Sequence, residues 1–576
     1  MKKRIISLLL CIMIISAGLY GCGNNNTDAV KDTANTETTV KKEKDQTSSD
    51  ITKVVTDPAT KEKGGTTSQV TYDYEQKLNV ISDNNRNYYE IFVYSFSDSN
   101  GDGIGDLNGV TDKLDYISND LGFNGIWLMP IMPSTTYHKY DVTDYYGIDS
   151  QYGTLEDFKK LSEECDKRDI KLIIDFVFNH TSAQHPWFKQ AVAYLETLKE
   201  GEEPDLTVCP YVGYYNFMKE GGSDTYYKAG TSDWYYEAMF WDQMPDLALG
   251  NKDLRLEIEK IAKYWMDMGV DGFRLDAAKE FYSGNPSKNV EVLQWFSDYV
   301  TGVKEDAYIV AEVWDTESAL TTYYKSGVTS LFNFPMAQYN GLIVSTVRKM
   351  GTSSASAFAK ALVRFQEEYN ISNPGYIDAP FISNHDTTRV SAQCVNDENQ
   401  MKMAAGLLLT MNGSPFVYYG EEIGMNSSGS KDENKRLPMQ WSATDLTGIT
   451  TKPSAADVVE QKFAPEDQQQ KDPLSILNYY KRAIRIRNEN PEIARGTITM
   501  IEALTSKDIC AVSKVYDDSE IVIIYNISKE AATIDLSLAG YETFPIRGYL
   551  TVDGSAVTCE DGILEMPLYS IVILKK

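Results

Sequence analysis

The sequence predicts an α/β protein: a (β/α)₈ TIM barrel with an inserted domain after strand three and a C-terminal antiparallel β-sandwich. Three observations carry this. Eight short apolar runs alternate with amphipathic stretches of helical period. The third interval between runs is far longer than the others. From about residue 495 the apolar pattern changes to a period of two.

The eight runs are Glu90–Tyr94, Gly125–Met129, Lys171–Phe176, Gly272–Leu275, Ala307–Val313, Ser330–Asn333, Pro380–Ser383 and Pro415–Tyr419. Helical patterns such as Leu155–Lys167, Leu254–Met268 and Met401–Met411 lie between them. Strand-then-helix units in series bury both faces of each strand, as a closed parallel barrel does. Residues 181–250 are too many for a loop. They hold Tyr211, Tyr214, Tyr215, Tyr226, Tyr227, Trp234, Tyr235 and Tyr236, a composition expected of irregular structure lining a cleft. The period-two runs Ile509–Val515, Ile521–Asn526, Ala532–Leu536 and Ser570–Leu574 predict the sandwich. The barrel thus occupies residues 76–180 and 251–490, the insert 181–250, and the sandwich 491–576.

Ahead of the barrel, Lys2, Lys3 and Arg4 precede an apolar stretch from Ile5 to Ser16. This has the layout of an export signal, and it is too short for a membrane span. Leu19-Tyr20-Gly21-Cys22 resembles a bacterial lipobox, which makes residues 1–22 a lipoprotein signal and Cys22 the lipidation site. Tyr20 is bulkier than the usual residue there. The chain is expected on the extracellular face of a bacterial membrane, a plain secreted protein being the alternative. Residues 23–75 are rich in Asn, Thr, Asp, Lys and Ser, and such a segment cannot bury enough apolar surface to order itself; it reads as a disordered tether.

The formal net charge of −28 repels phosphate backbones and argues against nucleic-acid binding. The seven cysteines, at 11, 22, 165, 209, 394, 510 and 559, form no C-x-x-C pair or Cys/His cluster, so neither a zinc site nor a disulfide framework is expected. The expected assembly state is a monomer.

Three acids fall at the ends of predicted strands four, five and seven: Asp276, Glu312 and Asp386. One acid at a strand end is more often a structural ion pair. Three on the same rim are the arrangement from which barrel catalysis is built, and paired carboxylates across a glycosidic oxygen are what glycoside hydrolysis needs. Arg274, two residues before Asp276, shares its side of the strand and favours an ionised carboxylate.

These residues carry a family resemblance. Asp175-Phe176-Val177-Phe178-Asn179-His180, Gly272–Lys279, Glu312-Val313-Trp314-Asp315 and Ser383–Asp386 resemble, in order and spacing, the four signature regions of the α-amylase family, glycoside hydrolase family 13. Met244-Pro245-Asp246-Leu247 resembles its fifth region, in the form of the group intermediate between oligo-1,6-glucosidases and neopullulanases. The resemblance spans residues 85–576. It implies a retaining double displacement with Asp276 as nucleophile, Glu312 as acid/base and Asp386 as transition-state stabiliser. It also implies that Arg274, His180 and His385 line the central subsite, that Asp175 supports it, and that Tyr140 is a sugar-stacking platform. Packing explains Tyr140 alone equally well. Glu280 and Ala248 depart from the residues often found there, His and Asn, which puts leaving-group contacts in doubt. Exo-acting relatives usually have Asp where this chain has Tyr137, and Lys279 resembles a contact beyond the cleavage point. The expected substrate is therefore an α-glucan such as starch or maltodextrin, cut at α-1,4 bonds to short maltooligosaccharides. The alternatives are an exo-acting α-glucosidase, an α-glucan transglycosylase, and a non-catalytic glucan-binding accessory protein.

Asp98-Ser99-Asn100-Gly101-Asp102-Gly103-Ile104-Gly105-Asp106 sets hard oxygen donors at alternate positions. Asp98, Asn100, Asp102, the Ile104 carbonyl and Asp106 suit a structural Ca²⁺. Gly109 stands where an EF-hand has its bidentate Glu, so a signalling hand is not expected; an Asx-rich turn without metal is the plainer alternative. The loop resembles one in the oligo-1,6-glucosidase branch, and Asn179 resembles a second family calcium ligand.

Overall fold

The computed structural model describes residues 80–576. The signal at 1–22, Cys22 and the tether to residue 75 lie outside the described residues. Among those described, no helix is long and apolar enough to cross a membrane.

Seven parallel strands form the barrel sheet. They are β1 (Tyr88–Ile91), β2 (Gly125–Leu128), β3 (Lys171–Phe176), β7 (Gly272–Leu275), β8 (Tyr308–Ala311), β9 (Ser330–Leu331) and β10 (Phe416–Tyr418). Between β3 and β7 the insert holds β4 (Phe217–Met218), β5 (Tyr226–Lys228) and β6 (Tyr235–Glu237), a small antiparallel sheet in the order β4-β6-β5. The eighth barrel position is residues 379–381, joined by single parallel bridges Phe332↔Ala379 and Phe381↔Phe416. Pro380 has no N–H to give, so this expected strand cannot form a full ladder.

The first strand ends three residues sooner than the sequence pattern suggested. Val93–Phe96 coil into one helical turn instead. Gly105 and Asp106 donate backbone N–H groups to Tyr94 and Ser97 carbonyls. A Cβ on Gly105 would sit 1.9 Å from the Val93 carbonyl oxygen, so only glycine allows this approach. The fifth strand is likewise shorter than Ala307–Val313, which frees Glu312 and Val313 to turn at the rim. The insert, expected to be irregular, also contains a helix at Pro186–Leu195. Leu155–Asp166, Lys252–Asp267 and Glu398–Leu409 are the helices expected from the amphipathic patterns, with ends shifted by at most three residues.

Period-two alternation decides what fills the barrel. Tyr88, Trp127, Ile173, Tyr308, Val310, Phe332, Phe381 and Phe416 point inward and form one buried cluster. Their chain neighbours Tyr89, Ile126, Leu128, Ile174 and Ile309 face out against the helices.

The C-terminal region is a five-stranded antiparallel sheet facing a three-stranded one. The first, in the order β11-β12-β13-β18-β15, comprises β11 (Thr497–Met500), β12 (Ile509–Tyr516), β13 (Ser519–Asn526), β15 (Ile546–Thr551) and β18 (Ser570–Lys575). The second comprises β14 (Ala532–Asp535), β16 (Thr558–Glu560) and β17 (Ile563–Met566). Ala511, Val522, Ile524, Ile534, Leu564, Val572 and Leu574 pack between the sheets. The alternate residues Cys510, Val512, Ile521, Ile523 and Ile573 join the core of the barrel. All five cysteines among the described residues are free.

Candidate active site

The alternation that fills the barrel also builds its mouth. Two residues above Tyr88 is Glu90; above Ile173 is Asp175; above Gly272 are Arg274 and then Asp276; above Val310 is Glu312. The register sets Asp175 beside Arg274. All of these project into the top layer of one rim.

Arg274, 1% exposed, is the hub. Its Nη1 donates to Asp175 Oδ1 at 2.8 Å and to Asp276 Oδ1 at 2.6 Å, and its Nη2 donates to Glu312 Oε2 at 2.8 Å. One guanidinium thus meets three carboxylates. The backbone N–H of Ala277 also donates to Glu312 Oε2, at 3.0 Å. It is aimed there because Ala277 takes a left-handed conformation, φ 48° and ψ 37°, a cost of about 1–2 kcal/mol for a residue with a Cβ. With Oε2 accepting two donors, a proton on Glu312 belongs on Oε1. Burial pushes the Glu312 carboxyl up, Arg274 opposes this, and the charges of Asp276 and Asp386 add to the rise. Burial raises Asp175 to about 7, against the pull of Arg274.

Asp386 comes from the eighth-position loop and is half-buried. Its Oδ2 lies 2.9 Å from His385 Nε2, and its Oδ1 accepts from Arg436 Nη2 at 2.7 Å. Burial pushes its carboxyl up, but His385 and Arg436 outweigh that and hold it well below the usual range. Tyr140 bridges the two halves. Its hydroxyl donates to Asp175 Oδ2 at 2.9 Å and lies 2.8 Å from His385 Nε2, while its ring stacks on His385 at 5.5 Å. The Tyr140 loop is held by Asp141, which accepts from the hydroxyls of Ser134, Thr135 and Thr136. His180 Nε2 lies 3.2 Å from the Tyr140 carbonyl oxygen, where an N–H donates.

Asp175, Arg274, Asp276, Glu312, Tyr140, His180, His385 and Asp386 therefore form one connected network. Lys279 stands at its edge, paired with Asp315 at 2.8 Å and donating to the Trp314 carbonyl at 3.3 Å. The rim beside it exposes Met239, Phe240, Trp241 and Trp314. Phe240 lies 5.4 Å from the His180 ring, and Trp314 stacks on Phe334.

Two residues of the network were not singled out from sequence. Glu90, 1% exposed, holds His385 Nδ1 at 2.6 Å. Arg436 grips Asp386, donates to the His385 carbonyl at 3.1 Å and donates to the Tyr137 hydroxyl at 3.0 Å. A lone Glu inside an apolar strand was a usable signal for the first. Nothing local marked the second.

In the loop after β1, Asp98 accepts from the backbone N–H groups of Asn100, Gly101 and Gly103. Asp106 accepts from Ser99 and from Gly109 N, Asn100 from Asp102 N, and Asp102 from Ile104 N. The oxygens are thus turned onto the loop's own amides. Among the described residues, no three His, Cys, Asp or Glu side chains converge as a metal-ligand set. The loop docks on residues 448–451, where Thr451 donates to the Gly103 carbonyl and Asp98 N donates to the Gly448 carbonyl.

A barrel mouth in which one buried arginine gathers carboxylates from adjacent strand ends supplies the paired carboxylates that glycoside hydrolysis needs. Residues 90–496 match the family model described as alpha amylase, catalytic domain. Alpha-amylase 3 of Dictyoglomus thermophilum is 39% identical over 458 residues, 78% of this chain and 86% of that one. The solved structure of Eubacterium rectale Amy13B is 46% identical with a TM-score of 0.84, covering 87% of this chain and 97% of that one. The α-amylase from H. orenii is 36% identical with a TM-score of 0.75, covering 86% and 100%. The chain belongs to the α-amylase family, glycoside hydrolase family 13, and is a retaining glycoside hydrolase.

Proposed function

We propose that the protein hydrolyses α-1,4-glucosidic bonds in starch and maltodextrins, releasing short maltooligosaccharides, within the group intermediate between oligo-1,6-glucosidases and neopullulanases. The observation that carries this reading is the sharing of Arg274 by Asp276 and Glu312. Asp276 Oδ2 accepts no hydrogen bond from the described residues, and it attacks the anomeric carbon. Glu312 gives its Oε1 proton to the departing glycosidic oxygen. The oxocarbenium-like charge is stabilised by Asp386, kept ionised by His385 and Arg436. Glu312, now a carboxylate, takes a proton from water, whose oxygen displaces Asp276 and regenerates the enzyme. Tyr140 offers the sugar an aromatic face, and Lys279 with the exposed Trp314 supports an open leaving-group side.

The test is a time course of products from amylose, pullulan and maltotriose. Mixed short oligosaccharides appear early if the reading is right, and Asp276→Asn loses activity by several orders of magnitude. Glucose alone from the outset favours an exo-glucosidase, and sugars longer than maltotriose favour a transglycosylase. Equal, negligible release by both proteins leaves a glucan-binding role.

A structural Ca²⁺ fits the donor chemistry of the loop after β1, with Asp98, Asn100, Asp102, the Ile104 carbonyl and Asp106 holding it in place of their amide contacts. It would stiffen the loop against residues 448–451. The location on the outer face of a membrane rests on Cys22 alone; Cys22→Ser would move the protein from the membrane fraction to the medium, and an unchanged fractionation would remove the anchor.

A further inference from the structure

Both ring nitrogens of His385 face carboxylates. Nδ1 is 2.6 Å from Glu90 Oε1, and Nε2 is 2.9 Å from Asp386 Oδ2. The His385 backbone N–H also points to Glu90 Oε1, at 3.3 Å. That oxygen accepts the backbone N–H and so presents a lone pair to Nδ1 as well. The Tyr140 hydroxyl, 2.8 Å from Nε2, spends its proton on Asp175, so it too presents a lone pair to His385. A neutral imidazole would turn a lone pair onto one of these oxygens; only the doubly protonated ring satisfies all of them.

We propose that Glu90 is a positioning residue that keeps His385 an imidazolium at neutral pH, so that the transition-state carboxylate Asp386 works against a fixed cation. The charge set around His385 is mixed. Asp386 and Glu90 favour the charged ring; Asp175 also lies near it. Arg274 and Arg436 bring positive charge from β7 and the loop after β10, and Tyr418 of β10 faces Glu90. Burial works against the charge, yet the carboxylates prevail and His385 is raised to about 9. Glu90 thereby also locks the ring plane against which Tyr140 stacks.

The reading rests on the assignment of Asp386, and its test has a readout separate from activity. The chain has four histidines. Burial lowers His138 and His185 to about 4 and lowers His180. Histidine-selective ¹⁵N labelling of the full chain at about pH 7 should therefore show one ring with protons on both nitrogens and three neutral rings. In Glu90→Gln, which keeps the shape and removes the charge, the imidazolium signal should disappear below the alkaline pH at which the wild type loses it. The kcat should fall roughly ten- to a hundredfold, the scale on which such supporting partners act, with KM less affected. Four neutral rings in the wild type would overturn the proposal whether or not the variant folds. So would an imidazolium that persists unchanged in folded Glu90→Gln. A wild type that shows the imidazolium but releases nothing from starch would instead count against the acid assignments and leave the state of His385 as proposed.

Discussion

Arg436 shows how much of this site depends on a residue with no part in the bond-breaking. It is 4% exposed and fastens Asp386, the His385 carbonyl and Tyr137 together. Removing it leaves Asp386 with His385 alone and frees the Tyr137 ring. Arg436→Met should therefore lower kcat about a hundredfold, the size of loss that a misplacement of about 1 Å brings. Steady-state kinetics on maltooligosaccharides would check this, and an unchanged kcat would make Arg436 a scaffold residue only. The difference between Arg436 and Asp386 in legibility is physical. Asp386 follows an expected strand on the rim that the repeated strand-helix pattern marks out. Arg436 lies 50 positions further along, in a loop without period, and reaches the site through tertiary folding that no local pattern encodes. Glu90 is intermediate: its place in an apolar strand marks it as buried, but the partner that justifies the burial comes from the other end of the barrel's sequence.

Among the elements, regular ones were legible and interrupted ones were not. The run Lys171–Phe176 reads as a strand and is one, because both its faces are buried. Glu90–Tyr94 was misplaced by its apolar character, which does not reveal that Tyr94 and Ser97 surrender their carbonyls to the following loop. That loop carries the element's own prediction. Its acidic oxygens are held by the loop's own amides and the Ser99 hydroxyl, with two glycines at φ 83° and 91° making the turn. A bound Ca²⁺ would neutralise them and tighten the contact with Thr451. EDTA should lower the melting temperature by a few degrees, in line with the roughly 3 kcal/mol that a ligand at a hundredfold excess over its Kd supplies. Calorimetry with and without chelator decides it, and coincident curves would leave the loop an Asx turn without metal.

At the scale of the whole molecule, a buried lysine fastens the sandwich to the barrel. Lys514 projects from the barrel-facing side of β12, 0% exposed, and donates to the carbonyls of Thr410 and Ile493 at 2.8 Å each. Arg487 donates to the carbonyls of Leu409, Met411 and Gly413 from the neighbouring helix. Carbonyl oxygens left by ended helices attract a cation, but they do not neutralise it. Burial, with the nearby charge of Arg487, holds Lys514 well below an ordinary lysine. In the unfolded chain the amine stays charged up to about pH 10.4. Folding therefore releases a proton in the window between the two values, and rising pH favours the folded state there. Lys514→Met has no proton to release. The melting temperature of the wild type should thus gain on that of the variant between about pH 7 and about pH 9.5. A difference that stays constant across that range would mean that Lys514 keeps its charge when buried, held by the two carbonyls and the helix ends alone.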